Sequence, residues 1–187
     1  MNQAWRPIET FWTGSDDSRI APLLRLFLSS DGSVVRSLKS LFLQTIKIEL
    51  VRQDQIPIEK KVSEALEVTP GEKGIERTVW LNREEEGKTH HLIYAVTAFP
   101  VSRLKPNLLQ ALQLGEKPLG QILEEGQLST YRDHLEVTYL PFPSVAQGFS
   151  LPEDTLFWAR RYRLWINGVI SAFILEVFSP EFSSIRS

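Results

Sequence analysis

The run TLFWARRYRLWINGVISAFILEVF, Thr155 to Phe178, decides the fold of this chain. Two strand-like apolar stretches, Thr155 to Ile166 and Val169 to Phe178, flank Asn167-Gly168. Asn-Gly supplies the two positive-φ positions of a tight hairpin turn, so the run predicts two adjacent antiparallel strands. The second strand is apolar on both alternating faces, which marks it as internal to a sheet. It carries one carboxylate, Glu176, on a face shared with Ala172, Ile174 and Phe178. Such a group must be protonated, be paired, or face a polar cavity. With an unbroken two-residue turn, Glu176 falls opposite Ala159 and Arg161 becomes its diagonal neighbour on the same face, with Arg163 two residues further on. A single bulge exchanges these for Arg160 and its face.

Working back from the hairpin, Ser129 to Tyr139 predicts another strand and Pro141 to Pro152 a loop. Thr89 to Val101 and Ile75 to Leu81 predict a second hairpin across the charged turn Glu84 to Gly87. Alternation in Ile75 to Leu81 puts Arg77 on the apolar stripe with Val79 and Leu81, and an arginine there needs an anion. That anion is either Glu176, in a structural ion pair, or the carboxylate of a ligand, which suits the planar guanidinium fork. Short helices are expected at Asn107 to Leu114, ended by Gly115, and at Gln121 to Glu125. Gln44 to Gln53 predicts a half-buried strand, and Gln55 to Lys73 a long connection with one helical turn.

Nearer the start, apolar residues at helical spacing predict one helix from Ser18, with Pro22 in its first turn, and a second from Ser33. Residues 1–17 are expected to be an irregular segment. The whole is α+β: a single domain over residues 1–187, with about six antiparallel strands covered on one side by helices.

Composition narrows the chemistry. Among 187 residues, 21 Lys and Arg against 23 Asp and Glu give a net charge of −2, without the basic surplus of a nucleic-acid binder. No cysteine is present, which removes thiolate nucleophiles, disulfides and zinc–thiolate sites. Three histidines, with His90 and His91 facing opposite ways on one strand, do not make a metal site. No apolar run reaches the roughly 20 residues of a membrane span. A cytoplasmic monomer, using no metal and no nucleic acid or membrane partner, is the expectation.

Several segments, in order, resemble the chorismate pyruvate-lyase family. Leu114 to Gly120 (LGEKPLG) is similar to its L-G-x-x-P-L-G signature, and Leu156 to Leu164 (LFWARRYRL) to its L-W-x-R-R-S-R-L segment. Leu175 to Pro180 (LEVFSP) resembles T-E-x-F-x-P, Pro100-Val101-Ser102 its P-V-S, and Gln55-Ile56-Pro57 its short E-I-P. Ile75 to Val79 corresponds to the strand bearing its ligand-binding arginine. The long segment Ser129 to Leu151 resembles the divergent branch found in photosynthetic bacteria.

The resemblance implies a six-stranded antiparallel sheet with helices. It also implies cofactor-free cleavage of chorismate to 4-hydroxybenzoate and pyruvate, serving plastoquinone or ubiquinone synthesis. Arg77 is then the ligand-carboxylate residue, the Leu119 backbone amide assists, and Glu176 contacts the ring oxygen released on cleavage. A contact near the second helix falls on Ser33-Val34-Val35, with Val34 where the family has methionine. Arg161 or Arg163 is the expected partner of the pyruvyl carboxylate. If its pKa is raised, Glu176 donates a hydrogen bond to the departing oxygen. The alternative is a non-catalytic binder of small aromatic acids, a sensor or carrier, like the ligand-sensing domains of GntR-type regulators.

Overall fold

The computed structural model describes residues 5–11, 20–115 and 117–183. One antiparallel sheet of seven strands organises them. In chain order these are β1 (Arg6–Pro7), β2 (Lys47–Pro57), β3 (Lys73–Glu85), β4 (Lys88–Pro100), β5 (Thr130–Pro141), β6 (Leu156–Ile166) and β7 (Val169–Phe178). Across the sheet the order is β1-β5-β6-β7-β4-β3-β2. Six long strands match the sequence expectation, and the seventh is a two-residue edge strand pairing with Val137 and Glu136. Part of the segment expected to be irregular is therefore ordered, as β1 and helix α1 (Ile8–Phe11).

Helices α2 (Pro22–Ser29) and α3 (Val34–Phe42) share one apolar core with Val79, Leu81, Leu92, Ile93 and Phe178 of the sheet. Ser33 caps α3 by accepting from the Arg36 amide. Pro22 stands at the first turn of α2, where its missing N–H costs nothing; the expected cap, Ser18, lies outside the described residues. On the same face, α5 (Pro106–Leu114) and α6 (Leu119–Glu125) pack over Ile75, Phe99, Tyr162, Leu164 and Ile174. Gly115 closes α5 in the left-handed conformation, at φ 70°.

Two helices cover the opposite face as well. Helix α4 (Lys60–Leu66) sets Leu66 beside Ile170 within the segment read as a long connection, and α7 (Pro143–Gly148) packs Val145 and Ala146 on Trp80, Phe157 and Val177. Pro143 in the first turn of α7 looked like a loop signal in the sequence, although proline there is compatible with a helix. Strand β2, read as half-buried, is a largely exposed edge strand with a bulge between Leu50 and Arg52.

Bulges set the register that matters for function. Asn167-Gly168 forms the expected turn, with Ile166 opposite Val169 and Trp165 opposite Ile170. Then the pairing shifts: Leu164 lies opposite Ala172, leaving Ser171 as the extra residue, and Arg160 lies opposite Glu176. A second irregularity, in β5, separates Asp133, opposite Arg163, from Glu136, opposite Arg161. His134 sits there with φ 50°.

Candidate functional site

A cavity lies between the sheet and the helices α3 and α6. Arg77, Val79 and Leu81 of β3, Ala95 and Thr97 of β4, Tyr162 and Leu164 of β6, and Ile174 and Glu176 of β7 form its floor. Ser33-Val34-Val35 at the start of α3, and Pro118, Leu119, Gly120 and Leu123 around α6, close it from above, with Arg132 of β5 at the side. It offers about 60 Å³ to the centres of water-sized molecules. That is room for roughly four to six waters, the bulk of one substituted ring.

Arg77 is only 3% exposed. Its Nη2 donates to the carbonyls of Gly115 (3.3 Å) and Lys117 (3.0 Å), while its Nε is buried with no acceptor. No carboxylate among the described residues pairs with it, and burial pulls its pKa below the ordinary arginine value. A structural ion pair to Glu176, one of the two readings open from sequence, is not formed. The guanidinium instead ties the loop before α6 to β3 and keeps hydrogen-bonding capacity towards the cavity.

Glu176 has a different partner. Arg160 Nε donates to its Oε2 at 2.5 Å, and the Tyr162 hydroxyl donates to its Oε1 at 3.2 Å. Arg160 Nη1 donates further to the carbonyls of Phe27 (2.6 Å) and Ser30 (2.7 Å), so the end of α2 is fastened to the same network. Burial is the largest influence on the Arg160 pKa and pulls it down, but the charges of Glu176 and Tyr162 and the hydrogen bonds to them together outweigh it and leave it raised. Burial first, then the charge of Glu176, pushes the Tyr162 phenol up to about 12. Glu176 thus enters the cavity as an ion-paired acceptor. The guanidinium that holds it is that of Arg160, which an unbroken register places on the other face.

Four of the expected residues, Arg77, Glu176, Leu119 and Val34, line this one cavity. Leu119 opens α6, so its backbone N–H has no acceptor within the helix. Arg161 does not join them. The Ser171 bulge turns it to the opposite face, where its Nε donates to Glu136 at 2.7 Å and its guanidinium lies over Trp5. Arg163 also faces away, bound to Asp133 and Glu67.

Three participants were missed: Arg160, Tyr162 and Arg132. The uninterrupted register hid the first two. Arg132, which the sequence did not single out, lies opposite Leu164, and the β5 irregularity just beyond it interrupts the alternation of the strand. Nothing in the composition of Tyr131 to Val137 signals that break. Among the described residues no group of three or more His, Asp or Glu side chains is placed to hold a metal ion. None of their helices is long and apolar enough to cross a membrane.

Fold and cavity together define the class: an α+β protein with an arginine-bearing chamber enclosed between an antiparallel sheet and its helices. The chain belongs to the Rv2949c-like chorismate pyruvate-lyase family, whose model matches residues 28–186. It is 25% identical over 172 residues to the uncharacterised ycf21 protein of Cyanophora paradoxa, covering 92% of this chain and 84% of that one. It is also 25% identical over 181 residues to a probable chorismate pyruvate-lyase of Pseudomonas aeruginosa, covering 93% of each. Among solved structures, the effector domain of PhnF from Mycobacterium smegmatis superposes with a TM-score of 0.62 at 14% identity, over 80% of this chain and 90% of that one. The ligand-binding domain of a GntR-family regulator from Bordetella bronchiseptica gives 0.60 at 13% identity, over 73% and 86%. These two likenesses concern the fold alone.

Proposed function

We propose that this chain is a cofactor-free chorismate pyruvate-lyase that releases pyruvate from chorismate and leaves 4-hydroxybenzoate, a precursor for quinone synthesis. One observation carries the reading: Arg77 is buried at the cavity wall and, among the described residues, has no carboxylate partner, while the lining carboxylate they supply, Glu176, is already engaged by Arg160. A desolvated guanidinium in that state favours an anionic ligand.

The ring carboxylate binds Arg77, assisted by the Leu119 amide, and the ring rests against Val34, Val79 and Ile174. Glu176, holding Arg160 and Tyr162, accepts a further hydrogen bond from the ring hydroxyl, since each carboxylate oxygen has two lone pairs. The substrate needs little else. Its ether bond breaks, hydrogen leaves the neighbouring ring carbon and ends on the methylene of the departing enolpyruvate, and the ring becomes aromatic. Atoms balance without a redox partner. An enzyme removes at least about 8 kcal/mol of barrier. Holding one reactive conformer in a closed chamber supplies about 7–11 kcal/mol in favourable cases.

The test is incubation of chorismate with the protein and identification of both products. Equal amounts of 4-hydroxybenzoate and pyruvate, formed faster than in buffer, support the lyase. Tight binding of 4-hydroxybenzoate with no turnover overturns it in favour of a carrier or sensor.

A further inference from the structure

Arg132 is the one charged residue of the cavity that the reading above leaves without a task. It stands on β5 opposite Leu164, on the cavity face. Its Nη1 donates to the carbonyl of Asp31 at 2.5 Å, and its guanidinium lies 5.5 Å from the centre of the Tyr162 ring. Its Nε is buried with no acceptor, as is that of Arg77. No described carboxylate pairs with it: neighbouring Asp133 is held by Arg163 and lies near His134. Among the described residues the cavity lining therefore carries two guanidinium charges, while the one carboxylate they contribute is neutralised by Arg160 from behind. That excess matches a ligand with two anionic groups rather than one.

We infer that Arg132 is the second anion contact of this cavity, receiving the side-chain carboxylate of a dicarboxylate whose ring carboxylate is held by Arg77. The assignment rests on the proposed ligand chemistry and extends it to specificity. Arg77 alone holds a benzoate, whereas Arg132 distinguishes a substrate bearing a second acid from a product that has lost it. Its bond to Asp31 puts the same residue on the segment joining α2 to α3, beside the capping Ser33. A ligand carboxylate at Arg132 thereby draws on a side chain whose orientation is already fixed.

Calorimetric titration of three stable probes tests this: 4-hydroxybenzoate, 3-methoxy-4-hydroxybenzoate, and 3-carboxymethoxy-4-hydroxybenzoate, which adds the second acid. The unmodified protein is expected to bind the dicarboxylate at least tenfold more tightly than the methoxy compound. Arg132→Gln removes that advantage while holding the other two affinities within threefold, and Arg132→Lys keeps part of it. Should the Gln variant melt early, the Lys variant and the wild-type preference decide. Equal weakening of all three probes, or no change in any, overturns the assignment. Failure of the unmodified protein to bind any probe overturns the proposed ligand chemistry, and the assignment with it.

Discussion

Arg160 and Glu176 face each other across β6 and β7, Nε to Oε2 at 2.5 Å, with side chains 0% and 4% exposed. The pair joins the sheet to the last turn of α2 through the Phe27 and Ser30 carbonyls. Removing one member strands a buried charge. Glu176→Leu is expected to lose about 3–5 kcal/mol in urea unfolding, and the double substitution Arg160→Met with Glu176→Leu to recover much of it. Additive losses in that cycle contradict the pairing.

Arg77 behaves in the opposite way. Its charge is desolvated and no carboxylate among the described residues pairs with it, so Arg77→Met relieves a buried cation while giving up two hydrogen bonds to backbone carbonyls. Those bonds are worth about 1 kcal/mol each. The expected outcome is a stability within about 1 kcal/mol of wild type, or higher, by urea denaturation. A loss of several kcal/mol would make Arg77 a structural residue.

Tyr162 gives a pH signature. Its folded-state pKa of about 12 stands above the ordinary 10.0, so the folded protein holds a proton that the unfolded chain releases. The associated stability is fully present below pH 10 and is lost as pH rises towards 12, by roughly 2–3 kcal/mol at most. Comparing alkaline unfolding of wild type and Tyr162→Phe checks this, since the variant lacks the contribution. Equal slopes for the two proteins between pH 10 and 12 contradict it.

Gly148, at the end of α7, lies against the Trp80 ring so closely that an added Cβ would stand 2.2 Å from Cζ2. Gly148→Ala is expected to cost about 1–3 kcal/mol by overpacking. Because this contact is on the face away from the cavity, affinity for 4-hydroxybenzoate should not move in a calorimetric titration.

How much of this the sequence discloses follows from what each signal depends on. The Asn167-Gly168 turn, the two hairpins and the helix stop at Gly115 are local, and they stand where the residues place them. Arg77 and Glu176 stood out because a charge on an apolar stripe is informative by itself. The partner of Glu176 was not legible, because one unpaired residue, Ser171, shifts the register and exchanges Arg161 for Arg160. The β5 irregularity hid Arg132 in the same way, and α7 was masked by a proline that opens it.

That exchange has its own check. Arg161 is about a third exposed in its pair with Glu136. Arg161→Ala is accordingly expected to cost no more than about 1 kcal/mol and to leave ligand affinity unchanged. A large loss of affinity in titration would restore it to the cavity.

The proposed function requires that the Arg77 guanidinium receive a ligand carboxylate. Titrating 4-hydroxybenzoate and its neutral analogue 4-hydroxybenzamide into wild type and Arg77→Met answers this most directly. Wild type should bind the acid at least a hundredfold more tightly than the amide, and the variant should bind both weakly and alike, about 3 kcal/mol of discrimination having gone. Retention of the acid's full affinity by the variant would contradict the account.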